Sequence, residues 1–185
     1  MRISRILILG FLLSASCNNN LNPKSGLHRI QVDVIHIGMT IQEMKALYAG
    51  AEFIEEPLYQ YGIDSENNGI KVTENGESLF FVWTMEDNDT INGIEIISQN
   101  IIVDYDVHVG MTLEDFLKKY PDSRPSMDEL SMDYEYIMVP GQDYSVQFLT
   151  TESSRVADYN YSATEPEFIA IKRPTAEIDR ISVFK

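Results

Sequence analysis

The chain has 185 residues and carries 14 Lys+Arg against 29 Asp+Glu, a formal net charge of −15. So acidic a body makes nucleic acid and anionic lipid surfaces poor partners and steers basic proteins toward it, although excess acid also serves solubility alone. A single cysteine excludes an internal disulfide, and the length is sufficient for a core that holds without one.

Arg2 and Arg5 begin the chain with positive charge, and Ile6 to Leu13 form an apolar run too short to span a bilayer. Ser14-Ala15-Ser16-Cys17 follows. This start resembles the signal peptide of bacterial lipoproteins, in which the cysteine is diacylated and becomes the first mature residue. Leu13 stands four residues before Cys17, one further than usual. The resemblance implies a signal peptide over 1–16 and lipidation of Cys17; ordinary secretory cleavage after Ser16 would instead leave a free thiol. Losing 1–16 removes two arginines and no acid, which takes the net charge from −15 to −17. Residues 17–29 read as a polar, turn-rich, lipid-anchored tether. The acidic run that some Bacteroidota lipoproteins carry after the cysteine for surface export does not follow. The expected location is therefore the cell envelope, lipid-anchored at the outer membrane and facing the periplasm.

His36-Ile37-Gly38-Met39-Thr40 recurs 72 residues later as His108-Val109-Gly110-Met111-Thr112. Each copy has the marks of a helix start. Thr40 and Thr112 are placed as N-caps, and Glu43 and Asp115 three residues on as capping-box acids, the shorter one weaker. Met39 with Met44, and Met111 with Phe116, form hydrophobic staples. Ile41, Met44, Leu47 and Tyr48 make one helical stripe; Leu113, Phe116, Leu117 and Tyr120 make the other. Gly50 and Pro121-Asp122 stop them. Folding alone explains the recurring segment.

Alternating segments then predict strands at Leu58 to Ile63, Ile70 to Glu74, Leu79 to Met85 and Ile91 to Ile97. A second set covers Tyr134 to Val139, Tyr144 to Thr150, Phe168 to Lys172 and Ile178 to Phe184. Turn signals at Asn67-Asn68-Gly69, Asn75-Gly76, Asp87-Asn88-Asp89 and Pro140-Gly141 separate them. The pattern predicts an α+β fold of two tandem repeats, 30–99 and 100–185. Each would be a capped helix followed by a four-stranded antiparallel sheet, with the helices on one face. The second repeat carries an insertion in or near Thr151 to Pro166, a place for specific contacts.

The Gly-Met-Thr turns before each helix, the tandem layout and the lipid signal are similar to features of two families. One is the β-lactamase-inhibitor-protein family, built from two tandem repeats that grip a partner with the open sheet face. The other is the SmpA/OmlA outer-membrane-assembly lipoproteins, with one lipid-anchored unit. The resemblance covers about 34–99 and 106–185. It implies an open sheet face for recognition. The inhibitor family also carries disulfides that this chain cannot form, so β-lactamase inhibition itself is not implied.

In such a fold Ile35, Ile37, Val107, Val109, Ile94, Ile96, Ile181 and Val183 would face inward. His36, His108, Glu95, Ser182 and Phe184 would face out. Leu79 to Met85 is apolar on both faces, so one of its sets must leave the helix-facing core or meet another layer. Tyr59, Tyr61, Tyr134, Tyr136 and Tyr144, with Trp83, are the candidate partner-binding residues, because aromatics on an open face offer large area at low entropic cost. Cross-strand stabilisation explains the same residues without binding.

Other chemistry is weakly marked. His36 and His108 lack the neighbouring acids of a metal site, and Glu86-Asp87-Asn88-Asp89 fails the calcium-loop spacing, so no metal or other cofactor is expected. Asp89-Thr90-Ile91 resembles a site that Bacteroidota glycosylate, at Thr90. No nucleophile, zinc-binding or phosphate-loop pattern occurs, and an enzyme is not expected. The sequence points to a lipid-anchored envelope protein that binds another protein without catalysis, with inhibition of a basic envelope or secreted enzyme as one form. The alternative is a structural or assembly accessory of the outer membrane.

Overall fold

The computed structural model describes residues 30–31, 35–85, 88–127, 133–162 and 165–184. The expected signal peptide, Cys17 and the tether to residue 29 lie outside the described residues. Two short helices are present among the described residues, α1 (Ile41–Leu47) and α2 (Leu113–Lys119). The strands are β1 (Ile30–Gln31), β2 (Glu52–Pro57), β3 (Asn68–Glu74), β4 (Glu77–Trp83), β5 (Gly93–Ile96), β6 (Ile101–Ile102), β7 (Ser126–Met127), β8 (Tyr134–Met138), β9 (Tyr144–Leu149), β10 (Ala157–Asn160), β11 (Glu167–Ile171) and β12 (Arg180–Val183).

Eight strands form one antiparallel sheet in the order β2-β3-β4-β5-β12-β9-β8-β7. Asn75 and Gly76 both take left-handed φ and close the β3–β4 hairpin, as an Asn-Gly pair in a two-residue turn favours. At the middle of the sheet β5 pairs β12, matching Ile94 to Val183, Glu95 to Ser182 and Ile96 to Ile181. β1 pairs β6 in a small parallel ribbon, and β10 and β11 form a separate hairpin.

The expected α+β architecture of tandem helix-capped repeats, each with its own four-stranded sheet, is not what forms. The β5–β12 pairing continues the hydrogen-bond ladder through the centre, so there is one eight-stranded sheet and the fold is mostly β. The helices are only seven residues each, about two turns, too short to make a layer. Loops complete the cover. Ile35, Met39, Ile91, Val103, Val107, Val109, Met111 and Ile178 join Met44, Leu113 and Phe116 in a single core. That core rests on one sheet face, formed by Val72, Phe80, Val82, Ile94, Ile96, Ile181, Val146, Phe148 and Ile137. Each large side chain fully buried there contributes about 1.5–3 kcal/mol.

Recurrence survives at the level of the turn. Gly38 N–H donates to Ile91 O and Gly110 N–H to Ile178 O, both at 2.8 Å. Met39 and Met111 then bond His36 O and His108 O. Both glycines have φ near +88°, the left-handed region. The capping box is complete only at α1. There Glu43 N–H donates to Thr40 Oγ1 (3.1 Å) and Thr40 N–H to Glu43 Oε2 (2.9 Å). Those bonds from the Thr40 backbone and hydroxyl hold the Glu43 carboxyl below its ordinary range. At α2, Thr112 caps Asp115 N–H, but the shorter acid accepts from the Thr112 hydroxyl and not from its backbone N–H, and its other oxygen accepts from Lys118 Nζ. Thr40→Ala is expected to cost about 1 kcal/mol in urea unfolding; no change would show that the box adds nothing.

Two predicted strands and the predicted insertion differ in the structure. Leu58 to Ile63 is not a strand but a 3-10 turn over Leu58–Tyr61, and the strand precedes it at β2. Phe168 to Lys172 corresponds to β11, outside the main sheet. The insertion contains β10, which folds back on β11.

Candidate functional site

The helix-free face of the sheet holds the candidate site. Cross-strand register puts Lys71, Phe81, Glu95, Ser182, Ser145 and Met138 in one row on that face, and Arg180, Gln147 and Tyr136 in the next. Leu149 and Tyr134 lie opposite each other farther along.

This face is not uniformly open. After β2 the chain makes the 3-10 turn and crosses the face before entering β3. Tyr61 lies flat on Phe81, with ring centroids 3.8 Å apart and planes 8° apart. Its hydroxyl donates to Glu56 Oε2 at 2.6 Å, and Glu56 also binds Lys71. Burial, then the Glu56 bond, pushes the Tyr61 hydroxyl pKa up. Gly62 turns left-handed (φ 78°) against Tyr134; a Cβ there would lie 3.1 Å from the Tyr134 ring and 3.6 Å from Arg180 Nη2. The doubly apolar strand β4 thus meets its second layer here.

Beneath the turn sits a buried charge pair. Glu95 is 3% exposed and Arg180 5%. Arg180 Nε donates to Gln147 Oε1 at 2.6 Å and lies 3.3 Å from Glu95 Oε2. Ser182 Oγ donates to Glu95 Oε1 at 2.7 Å, whereas Oε2 is buried and accepts no hydrogen bond among the described residues. Burial raises the Glu95 pKa to about 7, against the opposing pull of Arg180 and Ser182. The Arg180 guanidinium is 5.9 Å from the ring centroids of both Tyr61 and Tyr134, within reach of a cation–π contact.

Beyond Arg180 the face opens. Tyr134 and Tyr136 are half-buried, with ring centroids 6.3 Å apart and planes at 55°. Met138 and Leu149 on the same face are 50% and 57% exposed. They form an aromatic and aliphatic strip on β8 and β9.

The expected binding residues therefore divide. Tyr134 and Tyr136 lie on this strip. Tyr61 is part of the cover, and Tyr59 stands beside it on the same turn, 66% exposed. Trp83 is half-buried beside Gly93, where a side chain would overlap its indole; its Nε1 has no hydrogen-bond partner among the described residues. Tyr144 does not belong to the face. It points into the core with Val146, and its hydroxyl lies 3.2 Å from that of Tyr120, which donates to Asp104. Burial followed by the Tyr120 contact raises its pKa. Cys17 lies outside the described residues. Arg180, Gln147, Met138 and Leu149 were missed, although alternation from Ser182 and Tyr136 puts Arg180 and Met138 on this face.

The weaker chemical candidates are local. His36 and His108 each bring Nδ1 close to the carbonyl of the next residue, at 3.1 and 2.8 Å. Among the described residues no group of three or more His, Cys, Asp or Glu is arranged to hold a metal ion. Thr90 N–H and Oγ1 both donate to Asn88 Oδ1. Glu86 and Asp87 lie outside the described residues. No helix among the described residues is long and apolar enough to cross a membrane.

Neither a protein-family search nor a search of curated proteins yields a match. No family assignment follows. Among solved structures, the chain is similar to the uncharacterized protein yfeY from Escherichia coli, with 13% sequence identity and a TM-score of 0.48. The match covers 80% of this chain and 90% of that one. It brings no activity with it.

Proposed function

We propose that this chain is a non-catalytic protein-binding module, held in the cell envelope by lipid on Cys17. It binds through the helix-free face around Tyr134, Tyr136, Met138 and Leu149. The carrying observation is the exposure of Met138 and Leu149 beside the tyrosine pair. Aromatic and aliphatic side chains gathered on one sheet face provide the desolvated centre that protein interfaces need, and scattered apolar exposure would not. The net charge of −15 favours a basic partner, such as a basic envelope or secreted enzyme. The non-catalytic reading rests on Glu95 and Arg180, the principal charged groups under this face. Both are buried, Arg180 held by Gln147 and Glu95 by Ser182 and the Arg180 contact, so neither is presented at the surface.

The test is cross-linked capture from native envelope with the lipidated protein and with residues 18–185 lacking lipid, followed by affinity measurement on the captured protein. Tyr136→Ala and Met138→Ser are each expected to weaken that affinity about tenfold or more. Both should leave the urea midpoint nearly unchanged, because neither side chain lies in the core. Unaltered affinity in both variants would remove this face as the binding site. Capture by the lipidated form alone would count against a partner-specific module.

A further inference from the structure

We propose that the Glu95–Arg180 pair is a proton-controlled latch on the turn spanning residues 58–67: neutral Glu95 keeps the turn down, and ionised Glu95 releases it. The inference concerns regulation of the face proposed above and depends on that reading for its biological consequence. A lifted turn would add Phe81, Arg180 and the covered edge of Tyr134 to the surface a partner meets.

The geometry carries the argument. Phe81, directly opposite Glu95 across β4 and β5, is roofed by the Tyr61 ring, and Gly62 extends the cover to Tyr134 and Arg180. Glu95 is thus enclosed by Phe81 from β4, Ser182 and Arg180 from β12, and the Tyr61 turn. Arg180 is the positive group facing it, and Gln147 of β9 already takes the Nε–H of that arginine. Tyr61 is the other titratable group, its hydroxyl held by the Glu56–Lys71 pair.

A neutral carboxyl tolerates this enclosure. A carboxylate does not: Oε1 accepts from Ser182, but Oε2 accepts no hydrogen bond among the described residues and has only the ion-pair contact at 3.3 Å. Water admitted beneath the turn supplies the missing donors. The raised proton affinity of Glu95 places this change near neutrality rather than in the acid range of ordinary carboxyls.

The test is hydrogen exchange of the 58–67 amides in the full chain at about pH 6 and about pH 8.5, corrected for intrinsic rates. Protection should fall roughly tenfold or more with rising pH, while the Val146 and Phe148 amides change less. Glu95→Gln, which keeps the neutral shape, should abolish that fall. A flat wild-type profile overturns the latch without any variant, as does an equal fall in Glu95→Gln. Since no partner is needed, the latch can fail while the Tyr136 and Met138 affinity test succeeds, and the reverse.

Discussion

Glu135→Ala is expected to lower the unfolding free energy by about 3–5 kcal/mol. Glu135 is fully buried on the core side of β8, and its carboxylate accepts from Val156 N–H (2.7 Å), Ala157 N–H (3.1 Å) and the Tyr159 hydroxyl (2.8 Å). These three bonds dock the β10–β11 hairpin, whose apolar anchors are Ala157 and Tyr159 against Met127, and Ile171 with the adjoining Val156 against the main core. Truncation leaves three donors with no acceptor in a dry site, each costing about 1–3 kcal/mol. Some of this is recovered if the hairpin lifts and meets water. Urea unfolding measures the total, and hydrogen exchange at residues 156–160 tests whether the loss is local. Glu135→Gln should lose less, because its carbonyl still accepts while its amide faces a donor. A loss below about 1 kcal/mol in Glu135→Ala would mean that the hairpin does not depend on this anchor.

Local signals and long-range pairing were unequally legible in the sequence. Thr40, Glu43, Met39 and Met44 act within one helical turn, so their spacing alone places α1; Thr112 and Phe116 do the same for α2. Asn75-Gly76 marks its hairpin for the same reason. Which strands meet is a different kind of information. β5 and β12 pair across 87 residues, and both have inward and outward sets, so each sequence fits an edge as well as a centre. Counting two four-stranded sheets was the consequence. Tyr59 and Tyr61 misled through aromatic β propensity, whereas the turn after Pro57 and the stack on Phe81 hold them in a 3-10 turn. The candidate face was only partly readable for the same reason. Alternation gives the side of the sheet to which Glu95 points, but not that residues 58–67 return to cover it. Tyr144 shows the reverse error: its alternation with the apolar Val146 and Phe148 is the signal that places it in the core, and its aromatic ring alone does not place it on the open face.

Arg180→Met is expected to cost about 3–5 kcal/mol at about pH 8 and clearly less at about pH 5. Arg180 contributes the Gln147 bond and the positive charge nearest Glu95 Oε2. In the native protein the Glu95 pKa of about 7 exceeds the ordinary 4.5, so the folded state holds this proton more tightly than the unfolded state. Its contribution is therefore most favourable below the unfolded value and declines as pH rises through the folded one. The span amounts to roughly 3 kcal/mol at full ionisation. Removing the guanidinium takes away the interaction that opposes this shift. The folded pKa rises further, and the decline extends to higher pH. Glu95→Gln has the opposite signature: its stability should vary less than the wild type between those pH values and should match or exceed it at the alkaline end. Urea unfolding of the three proteins at both pH values separates these outcomes. An Arg180→Met loss that is equal at both pH values would mean that the arginine acts through Gln147 and packing, and that the charge of Glu95 does not govern this face.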